Sequence, residues 1–320
     1  MKLPAASLLV IIIGLSWPAT TISQDRVSEA VLAVLRRDGI VTPFAAFDGR
    51  RWTARWPVEL RNIDLPISLD DVPDRWWGVE APPKSMTIWR DARRTGSVEI
   101  TGLTTGRFMC EPRIALRSDY KPAEPAPPPF ERPYPKDGLL VAGDLTVEPI
   151  RVVERGLEWN RALTLLTGEF NKQETAAARA FTAWAHPVPE QQRRARQITI
   201  EALYAAPTRD PEWTTYYVEA VREYPPGPDD KDGCGLATFA HGWILVGSGN
   251  AARVRISSTV TYCDRKGVSY MLPFGLIRAN DRNYWVYQYS GFDEEWYEVA
   301  EPTHRGIDGQ VAYRVGVCDG

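Results

Sequence analysis

Histidine is scarce in this sequence of 320 residues, which contains only His186, His241 and His304. Metal sites built on imidazole need several histidines at helical or strand spacing, and His-Glu-x-x-His is absent. Gly-x-Ser-x-Gly, Walker sequences, dinucleotide fingerprints and Cys-x-x-Cys pairs are missing as well. These absences argue against zinc proteases, serine hydrolases with a nucleophile elbow, nucleotide-dependent enzymes and thiol redox proteins. We therefore expect no cofactor.

Charge is nearly balanced, with 38 Lys and Arg against 41 Asp and Glu, and no block of like charge occurs. Recognition of nucleic acid needs a basic stripe, so we expect no nucleic-acid partner. What the chain does contain is twelve Trp, thirteen Tyr and 26 Pro. Aromatic residues fit the half-buried surface of a sheet and proline favours turns, so the composition predicts a β-rich protein.

Residues 1–23 have the order of a secretory signal peptide. Lys2 is followed by an apolar run from Leu8 to Leu15, and Ser23 supplies a small residue before Gln24. The run is shorter than the roughly 20 apolar residues that span a bilayer. We predict a secreted or periplasmic protein that begins near Gln24. The alternative is an uncleaved anchor, the one case in which we expect contact with a membrane.

The four cysteines are Cys110, Cys234, Cys263 and Cys318. An even number in an exported chain predicts two disulfides, for which three connectivities exist. Cys234 and Cys263 flank the same predicted meander, which favours that pair. Cys110 would then join Cys318 and connect the N-terminal half of the chain to its C-terminus.

Short runs of aromatic and β-branched residues, separated by Gly, Asn and Asp, recur along most of the chain. They predict antiparallel sheets in sandwich- or barrel-like meanders. Helical spacing is concentrated in residues 157–186. There, Gly168 is expected to end one helix, and Asn171 with Glu174 resembles a capping box that begins the next. We predict an α+β fold, predominantly β, with a short helical insert around 157–186.

Seven prolines in the sixteen residues 121–136 predict polyproline II or irregular chain. We expect a spacer, or an arm packed on its own domain, rather than a docking ligand for an aromatic groove. This segment is the best candidate for a domain boundary. The predicted organisation is a signal peptide at 1–23, an N-terminal β-rich domain at 24–120, a Pro-rich linker at 121–137 and a C-terminal α+β domain at 138–320.

Weak catalytic candidates are Asp293, Glu295 and His241. Two carboxylates about 5 Å or about 9 Å apart could hydrolyse a glycoside, but acids in a row more often mark a solvated turn. His241 precedes Gly242 at a predicted strand start, where an ordinary turn histidine is the simpler interpretation.

Asp229, Asp230 and Asp232 are weak candidates for a calcium loop, because they place oxygen ligands at alternate positions before Gly233. The closing glutamate of such a loop is missing, so a flexible polar loop is the alternative.

Four tryptophans are the predicted ligand-binding residues: Trp76, Trp77, Trp52 and Trp56. Trp76 and Trp77 are adjacent, so a strand could not bury both on one face, whereas Trp52 and Trp56 would share a face of a regular strand. An exposed tryptophan surface stacks on sugars or bases; packing of these rings in the core is the alternative.

The preferred function is an exported, non-catalytic binding protein with an unknown ligand or protein partner. The alternatives are a secreted hydrolase that acts on glycans or peptides through paired carboxylates, and a structural subunit of an envelope complex.

Overall fold

The computed structural model describes residues 29–57, 68–80, 82–128, 134–181, 188–226 and 234–318. Antiparallel strands make up most of these ranges and one long helix is inserted among them. This confirms the predicted β-rich α+β class. The predicted signal peptide, His186 and the three aspartates of the candidate calcium loop lie outside the described residues.

The first part of the chain forms a sheet that closes on itself. Its strands are β1 (Ala30–Arg36), β2 (Ile40–Phe47), β3 (Trp52–Thr53), β4 (Ser85–Arg90), β5 (Arg93–Phe108), β6 (Glu111–Ser118) and β7 (Lys136–Ala142). The spatial order is β1-β7-β4-β5-β6-β2-β3, and β1 also pairs with β2. We call it the closed sheet. A single turn of helix, α1 (Asp74–Trp77), precedes β4.

Two further sheets follow. Their elements are β8 (Val147–Glu148), β9 (Arg151–Val152), α2 (Leu157–Ala180), α3 (Glu190–Arg194), β10 (Thr199–Pro207), β11 (Thr214–Glu223), β12 (Leu236–Val246), β13 (Ala252–Tyr262), β14 (Ser269–Ala279), β15 (Arg282–Gly291), β16 (Glu294–Thr303) and β17 (Gly306–Val317). The order β17-β16-β15-β14-β8 forms the central sheet, and β13-β12-β11-β10-β9 forms the outer sheet.

These sheets are stacked in layers that share three apolar cores. The closed sheet packs on one face of the central sheet, and the outer sheet packs on the other face. Helix α2 covers the far side of the outer sheet. Both faces of the central sheet are therefore buried, and its strands alternate between two cores. On β15, Tyr284 and Val286 face the closed sheet, whereas Trp285 and Tyr287 face the outer sheet.

Strand β7 begins inside the predicted linker and ends inside the predicted C-terminal domain, yet it lies between β1 and β4 in the closed sheet. The chain therefore returns to its first sheet after the proline-rich segment. The domain limits proposed from the sequence stay a prediction, and the strand pairing shows that residues on both sides of the linker share one sheet.

The helical insert is one helix where the sequence predicted two, because α2 continues through Gly168 and Asn171. Its buried stripe is Ala162, Leu166, Phe170 and Glu174, spaced four residues apart. Asn171 and Glu174 do not cap a helix. Their side-chain oxygens accept hydrogen bonds from the guanidinium of Arg222 on β11, at 2.9 and 2.8 Å. The two residues whose spacing resembles a capping box therefore bind a buried arginine instead.

Both predicted disulfides are confirmed. Cys110 bonds to Cys318 and connects the turn between β5 and β6 to the end of β17. Cys234 bonds to Cys263 and joins the ends of β12 and β13. Because such bonds form and persist in oxidising surroundings, they indicate a compartment other than the cytoplasm. Within the described ranges, none of the helices has the length and apolar character that a membrane crossing requires.

Candidate functional site

The core between the central and outer sheets consists mainly of aromatic rings, with Met271, Leu276 and two alanines among them. Two neighbouring strands of each sheet supply the rings. Because every second side chain of a strand faces the same side, these residues point into the same core. They are Tyr217 on β11, His241 and Trp243 on β12, Tyr287 and Tyr289 on β15, and Trp296 on β16. We call this set the aromatic cleft.

The rings of the aromatic cleft touch one another in a continuous series. Trp243 lies edge-on to Trp285 and Tyr217, with ring centroids 5.0 and 5.1 Å apart. Tyr287 continues the series to Tyr289 at 5.5 Å, and Tyr289 reaches Trp296 at 4.8 Å. Contacts of this kind hold aromatic rings in fixed orientations. The cleft is therefore a preorganised surface.

The aromatic cleft reaches the surface, because His241, Trp243 and Trp296 are only partly buried. A cavity of about 510 Å³ opens beside His241, Trp243 and Tyr289. Arg255 and Ser257 of the edge strand β13, together with polar residues of α2, complete its wall. Its volume falls in the range of ordinary small-molecule sites.

Gly242 brings β12 and β13 close together at this cavity. Its φ is 149°, and a Cβ atom there would lie 2.3 Å from the carbonyl oxygen of Arg255. No other residue fits this position without displacing the edge strand. Glycine here therefore allows His241 and Trp243 to sit opposite Ser257 and Arg255.

One half-exposed carboxylate, that of Glu298 on β16, is held in the aromatic cleft by two donors. The hydroxyl of Tyr287 donates to Oε2 at 2.5 Å, and Nε1 of Trp296 donates to Oε1 at 2.7 Å. Burial, with the negative charge of Glu298 adding to it, raises the pKa of Tyr287, so its hydroxyl keeps its proton and stays a donor. The carboxylate is thus fixed in position, with acceptor capacity left for a ligand.

A second carboxylate, that of Glu219 on β11, lies beneath the cleft and is 3% exposed. It accepts a hydrogen bond from the backbone N–H of Met271 at 2.6 Å and another from the hydroxyl of Tyr217 at 3.4 Å. Burial raises the pKa of Glu219 to about 7. The hydroxyl of Tyr217 also lies 3.1 Å from Nδ1 of His241. Burial lowers the pKa of His241, which favours the neutral imidazole.

The structure brings three of the four predicted ligand-binding tryptophans into the core. Trp52, Trp56 and Trp77 are buried, and Trp56 donates from Nε1 to the carbonyl of Ile114 at 3.0 Å. Its ring lies 5.1 Å from Trp77 and 5.8 Å from Trp76. These rings therefore form no exposed row, because they fill the interior of the closed sheet and its border with the central sheet.

Trp76 is the partly exposed member of the four. It lines an open cleft of about 1030 Å³ whose other walls are charged residues of both signs, among them Arg50, Arg55 and Arg75. That Trp76 contacts a ligand stays a prediction.

Of the predicted carboxylates Asp293 and Glu295, the side chain of Glu295 has structural contacts, whereas the hydrogen bond of Asp293 is made by its backbone. Glu295 is buried against the closed sheet, where it accepts a hydrogen bond from the hydroxyl of Tyr297 at 2.7 Å and forms an ion pair with Lys136. Burial lowers the pKa of Lys136, although the partner carboxylate opposes that shift. The backbone carbonyl of Asp293 accepts a hydrogen bond from the N–H of Cys318 at 2.7 Å. His241 is the one catalytic candidate at the aromatic cleft.

No cluster of His, Cys, Asp or Glu suited to a metal ion occurs in the ranges that the structure covers. The predicted calcium ligands Asp229, Asp230 and Asp232 lie outside those ranges, so the calcium loop stays a prediction.

Sequence reasoning missed most of the aromatic cleft, although a signal was present. Aromatic residues occupy every second position in Phe239-x-His241-x-Trp243 and in Trp285-x-Tyr287-x-Tyr289. On neighbouring antiparallel strands, such repeats place rings on one face of each sheet. Trp296 and Glu298 are likewise two residues apart and share a face.

No protein family, curated protein or solved structure matches this chain. The geometry and chemistry of the aromatic cleft are therefore the basis for assigning a role.

Proposed function

We propose that this protein is an exported, non-catalytic binding protein that takes a saccharide in the aromatic cleft. The observation that carries the proposal is the position of two half-exposed indole rings near the carboxylate of Glu298. Trp296 donates to this carboxylate, and the ring of Trp243 lies 5.9 Å from that of Tyr287, whose hydroxyl donates to the same group. A sugar ring has an apolar C–H face, which packs on an aromatic ring, and hydroxyl groups, which donate to a carboxylate. The cleft supplies both partners at one place.

Export to the periplasm or to the outside of the cell is supported by two independent features. The order of Lys2, the apolar run Leu8 to Leu15 and the small residue Ser23 is that of a signal peptide. The two disulfides add support, because they require oxidising surroundings.

Binding is favoured over hydrolysis by the position of the carboxylates. The raised pKa of Glu219, caused by burial, would suit a general acid. Its side chain, however, is 3% exposed and does not line the cavity, so a substrate there could not receive its proton. Glu169 of α2 lines the cavity, but a hydrogen bond from Gln173 lowers its pKa, so it is a poor proton donor. Glu298 lies among the aromatic rings and is held by Tyr287 and Trp296, and glycoside hydrolysis needs two carboxylates with different roles.

The test is a binding titration of the exported, disulfide-bonded protein with soluble oligosaccharides of several backbones, followed by intrinsic tryptophan fluorescence. We expect Trp243→Ala and Trp296→Ala each to weaken binding about tenfold or more, because each removes a stacking surface. Phe292→Ala is the matched control, since Phe292 is a half-exposed aromatic residue of the turn between β15 and β16 outside the cleft.

Three outcomes would overturn the proposal. Absence of binding to every saccharide would remove the ligand class. Loss of binding in Trp76→Ala, with Trp243→Ala unaffected, would move the site to the cleft of the N-terminal region. Release of new reducing ends during incubation would favour the hydrolase.

A further inference from the structure

A third half-exposed tryptophan, Trp213, extends the aromatic cleft towards the turns at one end of the two sheets. It lies between β10 and β11, and its ring packs so closely on Gly247 that a Cβ atom there would come within 2.8 Å of it. The ring of His304, in the turn between β16 and β17, lies 6.3 Å from that of Trp213. Turns of the outer and central sheets therefore meet around this indole.

Two arginines of the edge strand β13 lie beside Trp213 and beside the aromatic cleft, respectively. Arg253 and Arg255 are two residues apart on β13, so they project from the same face of the edge strand. Arg253 lies over the ring of Trp213, with its guanidinium carbon 6.0 Å from the ring centroid. Arg255 lines the cavity beside His241. Its Nε also lies 3.7 Å from the Cβ position of Gly306, next in sequence to Arg305.

These cations form no ion pair within the described ranges, although Arg305 donates from Nε to Nε2 of His304 at 3.3 Å. Among the residues that the structure describes, no carboxylate oxygen lies within 4.0 Å of the guanidinium of Arg253, Arg255 or Arg305. A second cavity, of about 620 Å³, is lined by Arg282, His304 and Arg305 and by the acids Asp210, Glu301 and Asp308. There, by contrast, Arg282 is paired with Glu301.

The acidic side chains near Trp213 form hydrogen bonds within the protein. Glu212, next to Trp213 in the sequence, accepts one from the hydroxyl of Ser248 at 3.4 Å. Asp210 accepts a hydrogen bond from the backbone N–H of Glu212 at 3.1 Å, and Asp308 accepts one from the amide of Gln310 at 2.9 Å. Glu301, the third acid of that cavity, is the partner of Arg282. Arg253 beside Trp213 and Arg255 on the cavity wall therefore carry positive charges that no carboxylate of the described residues balances by an ion pair.

We infer that the saccharide is acidic, with carboxylate groups on its rings. This inference rests on the proposed function. Trp213 supplies a further stacking surface, and Arg253 and Arg255 bind the carboxylates of successive sugar units. Guanidinium suits this role because its planar array of N–H donors matches the two oxygens of a carboxylate. Arg305 adds positive charge at the far end.

The experiment compares two probes with the same sugar backbone: an oligogalacturonate and its fully methyl-esterified form. We expect the exported protein to bind the free acid at least tenfold more tightly than the ester at low salt. The preference should shrink as salt is added, because exposed charges are screened. Arg253→Gln and Arg255→Gln should each weaken binding of the acid several-fold more than binding of the ester.

Arg94→Gln is the matched control, since Arg94 is exposed on β5 of the closed sheet and likewise has no carboxylate within 4.0 Å among the described residues. It should leave both affinities unchanged. Equal binding of acid and ester would overturn the inference, as would equal loss of both ligands in the Arg255→Gln protein.

Failure of this inference and failure of the proposed function give different results. If the ester binds through Trp243 and Trp296 as tightly as the acid, the saccharide site stands and its preference for acids is wrong. If neither probe nor any other saccharide binds, the proposed function is wrong as well.

Discussion

Tyr217 places its hydroxyl 3.1 Å from Nδ1 of His241, and this contact links the buried interior of the molecule to the wall of the aromatic cleft. On its other side the same hydroxyl lies 3.4 Å from a carboxylate oxygen of Glu219. The hydroxyl of Tyr217 therefore links the carboxylate of Glu219 to the imidazole of His241 at the cleft. The protonation of Glu219 also affects the stability of the fold.

We predict that Glu219 makes the stability of the fold depend on pH. Burial raises its pKa to about 7 from an ordinary value of 4.5. The folded protein therefore binds this proton more tightly than the unfolded chain. The resulting stabilisation is complete below pH 4.5 and is lost as pH rises through about 7, a change of about 3 kcal/mol in the free energy of unfolding.

Glu219→Gln isolates this effect, because the amide stays neutral across the range and keeps an acceptor for the N–H of Met271. Urea denaturation of both proteins at intervals from pH 4.5 to about 8 is the measurement. The free energy of unfolding of the parent should fall relative to that of the variant as pH rises. His241 acts in the opposite direction, since burial lowers its pKa, but it is present in both proteins. Parallel curves would contradict the prediction.

The strands could be predicted from the sequence because turns and β-branched or aromatic runs are local features. Which face of each strand packs against which sheet could not be predicted in this way. A strand of a two-layer protein shows one polar face, whereas the central sheet is covered on both sides. From the sequence, therefore, Trp285, Tyr287 and Tyr289 could be identified only as residues of a buried strand. That they meet the outer sheet depends on the stacking of sheets distant in sequence.

Polar residues were misread for a related reason. Asn171 and Glu174 fit the local pattern of a helix start, but their partner Arg222 lies on β11, about 50 residues away. Glu295 resembled a solvated acid, yet it is 4% exposed and its partner Lys136 belongs to a different sheet. Contacts of this kind arise from tertiary packing, on which sequence spacing carries no information. The cysteine pairing succeeded because Cys234 and Cys263 flank one hairpin.

We predict that the two disulfides stabilise the protein unequally. In the chain-entropy description, a crosslink stabilises more when it closes a longer loop. The bond between Cys234 and Cys263 spans 29 residues and that between Cys110 and Cys318 spans 208. Replacing each pair by serine should lower the free energy of unfolding by about 4 and about 5 kcal/mol respectively.

Chemical denaturation of the two double variants, with the parent under oxidising and reducing conditions, tests the order. The Cys110–Cys318 bond also joins the closed sheet to the central sheet, whereas the other lies within the outer sheet. Loss of the Cys110–Cys318 bond should therefore loosen the contact between Gly316 and the backbone of Phe108. A larger loss on removing the Cys234–Cys263 bond would contradict this ranking.

The adjacent residues Trp76 and Trp77 should respond to substitution in opposite ways. Trp77 is 2% exposed and packs on Trp56 with ring centroids 5.1 Å apart, so Trp77→Ala leaves a cavity and should cost about 3 to 5 kcal/mol of stability. Trp76 is partly exposed at the cleft with Arg50 and Arg75, so Trp76→Ala should cost about 1 kcal/mol or less.

Thermal or urea unfolding of the two single variants checks the difference, and the Trp76→Ala protein then serves in the saccharide titration. The double variant is unsuitable, because loss of fold and loss of a binding surface would give the same result. Trp56 contacts both rings, so the two effects need not add. If Trp76→Ala destabilises the protein as much as Trp77→Ala, then Trp76 is a core residue, and the cleft beside it loses its one aromatic surface.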